Sequence, residues 1–545
     1  MCGQVENGTW TFVEASSVPP GTKCLPMVWT FRYKMPTPQN PDGVFKCRVC
    51  PNGSTMVAGE DYDEHKRSSP VAERSSFRII CCLTAMRCLV LEAVDLSQAY
   101  LQQKLPMRKP IYAYCPQGYN RTGKDGRPMR MLAHAPCYGL PFSGFCLYES
   151  LSDWLRRIGL KQCIADPCVW TWKRGRDELL CCITVDDLVF AGSSKGFNDE
   201  FVSRLREQFT LTRTENVTHV LGLDLSDTAD NDRRSIGIDA SQLIDDVADD
   251  HDLQRAATVD NPIASSPQYD EWTSTDQSTI DHLLTDKRLR SLCGSANYIS
   301  AVCRPDIALA ASMVSRAVGK PSTKCYMAAK RIICYLRGSR DRKLTWHGHT
   351  SKPVPWDQIS LITFVDADHM SSGERSQTGF CLFLSANRGP HDLTSGGAID
   401  WASRKQGCTA LYAEPTDQMF AEDDSYSVAA HSSDAELIAI SDVIPRVRHL
   451  RLLLKELGAT QQEASPVFND SEAVIKYIHA DTSPALKHLN ARARLVREAR
   501  RVAMASFLHV NGATNPSDQQ TKRLVTRVHC VHTNTLLGTP PPREE

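Results

Sequence analysis

Hydrophobic and polar residues alternate over residues 10–49, and Pro and Gly residues interrupt the alternation. This pattern predicts short strands. The mostly apolar stretch 77–91 predicts a helix that leads into VDLSQAY, and the spacing of apolar residues over 145–158 predicts another. The segment LLCCITVDDLVFAG contains two strand-forming runs with two aspartates between them. Together these elements predict an α+β fold rather than a parallel α/β sheet.

The second half of the chain follows a different pattern. Residues 227–270 are polar, acidic and interrupted by prolines, which predicts a small helical subdomain with a linker. Apolar spacing predicts further helices over 289–302 and 305–336. From residue 361 onward, the strand-like runs LITFVDADHM, TGFCLFLS and VFND alternate with helical stretches. This order predicts a compact sheet flanked by helices.

The composition indicates a multidomain globular protein. At 545 residues, with 41% hydrophobic and 23% charged residues, the chain can form about three or four domains of roughly 150 residues each. Lys+Arg and Asp+Glu each total 63, so the chain lacks the overall basic excess typical of nucleic-acid-binding proteins. The charge is uneven, however, because residues 224–260 are heavily acidic and residues 487–527 are rich in Lys and Arg.

Twenty-one cysteines and an N-terminus without a basic, apolar leader predict a reducing intracellular compartment. No apolar run approaches the roughly 18 residues of a membrane span. Cys47 and Cys50 form a CxxC pair without a second pair nearby, which disfavours a structural zinc site. The cysteine pairs at 81–82 and 181–182 lie in apolar runs and are predicted to be core residues.

Asp186 and Asp187 interrupt an apolar run at the predicted turn of a hairpin. One interpretation is an ordinary Asp-rich turn. The other is a divalent-metal site completed by an acid from a neighbouring strand, and Asp95, at the end of a predicted strand, is the candidate. Clustered carboxylates repel one another strongly enough to require a cation. Their hard oxygen atoms favour Mg²⁺, and two such ions can support in-line phosphoryl transfer.

The motifs around these acids resemble those of copia-type retrotransposon Pol polyproteins. VDLSQAY resembles the first palm motif of reverse transcriptases and TVDD resembles their YxDD hairpin; NGTWTFVE, NPDGVFKCRV, GEDYDE, CYGL, ADPCVW and AAKRIICYLRG keep the family order. The resemblance implies a right-hand polymerase with fingers, palm and thumb, followed by a ribonuclease H-like α/β domain. It implies an RNA template, a DNA primer, an RNA:DNA hybrid and dNTPs as partners, with two Mg²⁺ (or Mn²⁺) ions in each active site. The expected locations are cytoplasmic particles and the nucleus.

The resemblance assigns roles in the polymerase half. Asp95 and Asp186 would be metal ligands and Asp187 the supporting acid. Tyr100, five residues beyond Asp95, would lie beneath the incoming sugar and exclude a 2′-hydroxyl; the alternative is an ordinary core aromatic. The basic pair expected to contact the triphosphate, unless these side chains are merely solvated, is Lys46 and Arg48.

A second group of acids resembles the ribonuclease H motifs of the same family. FVDAD, SSDAELIA, VFNDSEAVI and NPSDQQTK supply Asp366, Glu436, Asp470 and Asp518, which would converge on two Mg²⁺ ions and activate water against an RNA phosphate. His488, in LKHLNARARLVRE, matches a further block and would face the substrate.

The chain also departs from the family pattern. Thr184 replaces the usual Tyr before the aspartate pair, and Phe142, Phe145 and Leu147 replace a Gln, an Arg and a Trp that help to seat the nucleotide. Residues 411–431 form an acidic insertion ahead of Glu436. Two hypotheses therefore remain: an active enzyme, in which these replacements would impair the polymerase half, or a catalytically silent nucleic-acid-binding relic. A zinc-binding regulatory protein is a third alternative.

The predicted domains follow from these assignments. They are fingers and palm (1–225), a thumb-like acidic helical segment with a linker (226–280), a helical connection (281–350), a ribonuclease H-like domain (358–530) and a disordered tail (531–545).

Overall fold

The structure is a computed structural model. It describes residues 5, 8–34, 42–103, 105, 110–220, 222–264, 286–319, 322–369, 375–390, 393, 395–407, 432–480 and 490–539. His488 and the insertion at 411–431, both identified from the sequence, lie outside these residues. None of the helices that the structure describes is long and apolar enough to cross a membrane.

Helices and strands alternate along the described chain. The helices are α1 (Arg74–Met86), α2 (Ser143–Arg157), α3 (Lys195–Arg206), α4 (Ser241–Asp250), α5 (Asp286–Val302), α6 (Ala308–Ala317), α7 (Thr323–Gly338), α8 (Ser432–Leu457), α9 (Glu472–His479), α10 (Asn490–Arg501) and α11 (Thr526–Leu537).

The strands of the described residues form five sheets. They are β1 (Trp10–Val13), β2 (Cys24–Leu25), β3 (Met27–Lys34), β4 (Val44–Pro51), β5 (Val90–Leu96), β6 (Tyr112–Tyr114), β7 (Arg130–Ala133), β8 (Lys161–Gln162), β9 (Val169–Arg174), β10 (Asp177–Thr184), β11 (Asp187–Gly192), β12 (Leu211–Thr214), β13 (His219–Val220), β14 (Leu223–Asp230), β15 (Arg233–Asp239), β16 (Leu344–His349), β17 (Ser360–Asp368), β18 (Gln377–Ser385), β19 (Asp400–Lys405), β20 (Ser465–Asn469) and β21 (Ala505–His509).

A six-stranded antiparallel sheet with the order β12–β5–β11–β10–β9–β8 lies at the centre of the N-terminal half. It is covered on both faces because successive side chains of a strand point in opposite directions. Leu180 and Cys182 join the core that contains α1, whereas Cys181 and Ile183 join the core that contains α2 and α3. The continuous apolar run in β10 therefore belongs to a strand that is buried on both faces. The prediction that the Cys-Cys pairs are core residues is confirmed.

The predicted thumb-like helical segment differs from the structure. Its first part forms β14 and β15, which make a four-stranded sheet with β13 and with β16 from the predicted helical connection. Only α4 is helical in the described part of this segment that follows the strands. Ile236 and Ile238 lie two residues apart in β15, so their side chains share one face of the sheet, and both are buried. In the sequence, the polar and acidic composition of residues 227–270 made this strand-like spacing hard to recognise.

The C-terminal sheet has the strand order β19–β18–β17–β20–β21. The first three strands are antiparallel, and β20 and β21 run parallel to β17. The long helix α8 packs against β17 and β18. The predicted ribonuclease H-like α/β domain is therefore confirmed as a fold, and the whole chain is an α+β multidomain protein.

The predicted disordered tail is wrong for its first residues, because α11 continues to Leu537. His532, Leu536 and Leu537 are buried at helical spacing, so packing stabilises this helix. Gly538 follows with a φ of 71°, the left-handed conformation that glycine adopts readily after a helix.

The palm and the C-terminal unit share a buried contact through Arg78 of α1. Its Nε donates to the carbonyl oxygen of Ile399 at 2.7 Å, and its Nη1 donates to that of Ala301 at 2.7 Å. The guanidinium lies 3.9 Å from the ring centroid of Trp401 in β19. Hydrogen bonds from a buried charge are strong only when the geometry is fixed. This contact therefore fixes how the two units pack.

Candidate active sites

Strand pairing brings three acids to one end of the palm sheet. Asp95 near the end of β5 lies directly opposite Asp187, the first residue of β11. The backbone N–H of Leu96 donates to the carbonyl oxygen of Asp186 at 3.0 Å, which extends the pairing into the turn. Asp95, Asp186 and Asp187 are thus neighbours, as the sequence predicted.

The turn that presents Asp186 has an unusual backbone. Val185 has a φ of 59°, a left-handed conformation that is unfavourable for a β-branched residue. Such strained positions persist only where the surrounding structure holds them, and they are common at functional sites. Here the pairing of Thr184 with Asp187 closes the hairpin tightly and leaves two residues between β10 and β11.

The charges of this cluster repel one another. Burial, together with the nearby negative charges of Asp186 and Asp95, raises the pKa of Asp187 to about 6. Burial is the main cause, because a low-dielectric environment disfavours the charged carboxylate. All three side chains offer hard oxygen atoms, the kind of ligand that divalent cations prefer.

Two tyrosines lie beside the palm acids. The half-buried Tyr100 follows β5 in a 3-10 turn, and its ring meets that of Tyr138 edge-on at 4.6 Å. Burial raises the pKa of both tyrosines, and the charge of Asp186 raises both further. The guanidinium of Arg48 lies 4.9 Å from the ring centroid of Tyr138. Tyr138 was not identified from the sequence, although it lies within the CYGL motif.

The basic pair predicted to contact the triphosphate lies on the β3–β4 ribbon. Arg48 pairs with Thr30 and Lys46 pairs with Arg32, so Arg48 and Lys46 share one face of the ribbon. Both are exposed. The guanidinium of Arg48 contacts the ring of Tyr138, which lies beside the acid cluster. Lys46 lies two residues before Arg48 on the same strand of the ribbon.

The positions that depart from the family pattern are largely core positions here. Phe142 is buried and its ring lies 6.2 Å from that of Tyr62. Leu147 is buried in the palm core with α3. Phe145 is half-buried, with the ammonium of Lys66 5.7 Å from its ring centroid.

The C-terminal acids come from four different elements. Asp366 lies on β17, Glu436 on α8, Asp470 directly after β20, and Asp518 in the 3-10 turn Pro516–Gln520. Carboxylate oxygens of Asp366, Asp470 and Asp518 lie within 4.8 Å of one another. Among the residues that the structure describes, these three acids form a group that could hold a metal ion. Neither Cys47 nor Cys50 belongs to it.

Burial and the charges of neighbouring acids raise the pKa values of Asp366, Glu436 and Asp518. Burial is the main cause for Asp366, and the charges of Glu436 and Asp518 add to it. Burial also raises the pKa of Glu436 to about 8, although the side-chain amide of Asn469 donates to its Oε2 at 2.8 Å. Asn469 also donates to the carbonyl oxygen of Val365, so it ties Glu436 to the backbone of β17.

The turn that carries Asp518 is anchored to the helical connection. The side-chain amide of Gln520 donates to the carbonyl oxygen of Pro305 at 3.1 Å, and that of Gln519 approaches the carbonyl oxygen of Asp306 at 3.5 Å. Asp306 is itself buried in an ion pair with Arg304 at 2.7 Å. The connection therefore positions Asp518.

The raised pKa of Glu436 predicts a pH-dependent stability in buffers without divalent cations. Its folded-state pKa of about 8 exceeds its ordinary value of 4.5, so the folded protein binds the proton more tightly than the unfolded chain. The resulting stability is complete below about pH 4.5 and is lost as the pH rises towards 8. We expect the thermal midpoint to fall by about 5 °C between pH 5.5 and 8.5.

Glu436→Gln should reduce the slope of this dependence, because the amide does not titrate, while Asp366 and Asp518 still do. The matched control is Glu498→Gln, which changes an exposed glutamate on α10 and should keep the wild-type slope. Equal slopes in wild type and Glu436→Gln would show that Glu436 is not the group responsible.

Comparisons with known proteins agree with these features. Residues 7–265 match the family model described as "Reverse transcriptase (RNA-dependent DNA polymerase)". The chain is 26% identical over 531 residues to the retrovirus-related Pol polyprotein from transposon TNT 1-94 of Nicotiana tabacum, covering 95% of this chain and 36% of that protein. It is 25% identical over 534 residues to the Pol polyprotein from transposon RE1 of Arabidopsis thaliana, covering 96% and 32%. The chain thus spans about a third of the length of these relatives.

Among solved structures, a foamy viral protease-reverse transcriptase in complex with double-stranded DNA is 12% identical, with a TM-score of 0.46. The match covers 93% of this chain and 68% of that chain. The family model over residues 7–265 and the similarity to Pol polyproteins along almost the whole chain together support a copia-type retrotransposon reverse transcriptase.

Proposed function

We propose that this chain carries out RNA-directed DNA synthesis in its N-terminal half and hydrolyses the RNA of RNA:DNA hybrids in its C-terminal domain. The observation that carries the proposal is the presence of two separate carboxylate clusters, each held at the end of its own sheet. Acids from distant segments rarely converge without a cation, because their repulsion is costly. The proposed substrates are an RNA template, a DNA primer, dNTPs and the RNA:DNA hybrid.

The donor atoms of both clusters suit hard divalent cations. Asp95 and Asp186, with Asp187 in support, would hold them in the palm. In the C-terminal domain the proposed ligands are Asp366, Glu436, Asp470 and Asp518. Bound Mg²⁺ or Mn²⁺ ions, two in each site, would supply the positive charge that activates the attacking oxygen and neutralises the leaving oxygen.

The remaining residues would bind and orient the substrates. Arg48 and Lys46 offer cationic donors for a triphosphate, and the ring of Tyr138 limits the movement of the Arg48 guanidinium. In the C-terminal domain, the hydroxyl of Thr521 donates to Asp366 and the amide of Asn469 donates to Glu436. These hydrogen bonds orient the acids for their task.

The hybrid needs a cationic surface, and α10 offers one. Arg494 and Arg500 are exposed on this helix. We propose that they contact phosphates, in which case hybrid binding should weaken as salt rises. His488, predicted to face the substrate, directly precedes this part of the chain.

Tyr100→Ala is expected to relax the discrimination between deoxyribonucleotides and ribonucleotides by roughly tenfold or more. The ring lies against Tyr138 beside Asp186, so its removal leaves space where a 2′-hydroxyl would sit. Incorporation of dNTPs and rNTPs is compared in single-nucleotide extension. Tyr100→Phe keeps the ring and should discriminate like the wild type. An unchanged preference in Tyr100→Ala would show that Tyr100 serves only as packing.

A second candidate function has specific support for the polymerase half. Phe142 and Leu147 are buried where the family pattern expects polar or aromatic groups that seat the nucleotide. Phe142 cannot supply the hydrogen bonds of a glutamine, and such a loss costs about 1 kcal/mol or more for each bond. The polymerase half would then bind nucleic acid without efficient turnover.

Parallel assays with the purified chain and Mg²⁺ test both candidates. One follows extension of a DNA primer on an RNA template, and the other follows cleavage of labelled RNA in a hybrid. Both products support the full proposal. Cleavage without extension supports a degenerate polymerase half. The absence of both activities would contradict the proposed enzyme.

A further inference from the structure

A lysine side chain lies in the middle of the C-terminal carboxylate cluster. The Nζ atom of Lys522 is 2.9 Å from Asp366 Oδ1, 3.2 Å from Asp518 Oδ1 and 3.7 Å from Asp470 Oδ2. Sequence reasoning assigned no role to Lys522, although it belongs to the NPSDQQTK segment. One ammonium group thus contacts all three acids that could jointly hold a metal ion.

The contacts of Asp366 leave little freedom for an additional cation. This carboxylate is completely buried; the hydroxyl of Thr521 donates to its Oδ2 and Lys522 contacts its Oδ1. A divalent ion that binds Asp366 must therefore displace one of these donors. The ammonium carries the like charge and would be repelled by the incoming ion, so it is the group that leaves.

The backbone around Lys522 allows its side chain to move alone. The backbone N–H of Lys522 donates to the carbonyl oxygen of Asp518 at 2.8 Å, and that of Thr521 donates to the same oxygen at 3.1 Å. These bonds hold the main chain in place. The side chain retains 35% exposure, so its flexible stem has a path into solvent that the buried Asp366 lacks.

We propose that Lys522 is a positioning residue that acts as an internal counter-cation, holding Asp366, Asp470 and Asp518 together in the metal-free protein and competing with the divalent cation for them. This inference rests on the proposed function, since it assumes that the cluster binds metal. Lys522 thereby lowers the metal affinity of the site. It also prevents the three acids from repelling one another before metal arrives.

Isothermal calorimetry with Mn²⁺ on the full chain tests the proposal. All the proteins carry Asp186→Asn, which weakens cation binding at the palm cluster. The measured heat of Mn²⁺ binding then reports on the C-terminal site. Lys522→Met keeps a long stem without charge and is expected to bind Mn²⁺ at least about tenfold more tightly. Its metal-free thermal midpoint should be lower than that of the parent, and Mn²⁺ should raise it again. Lys522→Arg keeps the charge and should bind like the parent.

The opposite outcome separates this inference from the proposed function. If Asp470→Asn abolishes Mn²⁺ binding but Lys522→Met binds no more tightly than the parent, the metal site remains and the role of Lys522 is refuted. Binding in none of the proteins would refute the proposed metal site itself, and the inference with it. Should Lys522→Met fail to fold without metal, Lys522→Gln replaces it, because its amide can still donate to the carboxylates. The expected tighter binding is the same.

Discussion

Asp186→Asn is expected to lower primer extension by roughly a thousandfold, the usual order of loss for a group that stabilises developing charge, while hybrid cleavage stays near the wild-type rate. Asp186 lies in the tight turn after Val185, next to the paired Asp187 and Asp95. An amide has the same shape but no charge, so the turn should persist while its capacity to hold a cation falls. The pKa of Asp187 should also fall, because the charge of Asp186 contributes to raising it.

Extension is measured on an RNA template with a labelled DNA primer at several Mg²⁺ concentrations. The matched control is Asp153→Asn, which changes an exposed acid on the palm helix α2 that forms an ion pair with Arg156. The control should extend primers like the wild type. Wild-type extension by Asp186→Asn would rule out a role for this carboxylate in catalysis.

The palm cluster could be predicted from sequence because its geometry follows from local patterns. An apolar strand ending near Asp95 and an apolar hairpin interrupted by Asp186 and Asp187 are both visible in the sequence. Antiparallel pairing of β5 with β11 is enough to bring them together. The order of the C-terminal strands and helices likewise follows from alternating apolar runs, and the resemblance implied a ribonuclease H-like domain.

The sheet formed by β13, β14, β15 and β16 was missed for a physical reason. β15 pairs with β16, and more than a hundred residues separate Ile236 from its partner Trp346. Local composition carries no information on such a partner, because strand stability depends on the neighbours that cover it. The acidic residues of 224–260 therefore suggested a solvated helix. The C-terminal helix α11 was missed similarly, since its burial depends on distant contacts of Leu536 and Leu537.

Residues that support the acids were harder to identify than the acids. Tyr138, Asn469 and Lys522 each act through a neighbour that is distant in sequence. Asparagine and lysine are common on protein surfaces, so their presence next to a motif has little predictive value. In the sequence, Lys522 lies between a threonine and a basic residue. Only the folded geometry shows that it contacts three acids.

Asp366→Asn is expected to have the complementary effect, lowering hybrid cleavage by roughly a thousandfold with extension unchanged. Asp366 is completely buried at the centre of the C-terminal cluster, and its oxygens contact Lys522 and Thr521. The amide preserves the volume and removes the charge shared with Asp470 and Asp518. Cleavage of an RNA:DNA hybrid with 5′-labelled RNA measures the effect.

Asp368→Asn is the matched control, because Asp368 lies two residues from Asp366 on the same strand but is only partly buried. It should retain cleavage within about threefold, a change of under 1 kcal/mol. Wild-type cleavage by Asp366→Asn would refute the assignment. Loss of extension together with cleavage would instead show that the substitution disturbs packing between the two units, since the core around Phe364 continues to α1 of the palm. Loss of extension alone in Asp186→Asn and loss of cleavage alone in Asp366→Asn would establish two independent active sites within one packed chain.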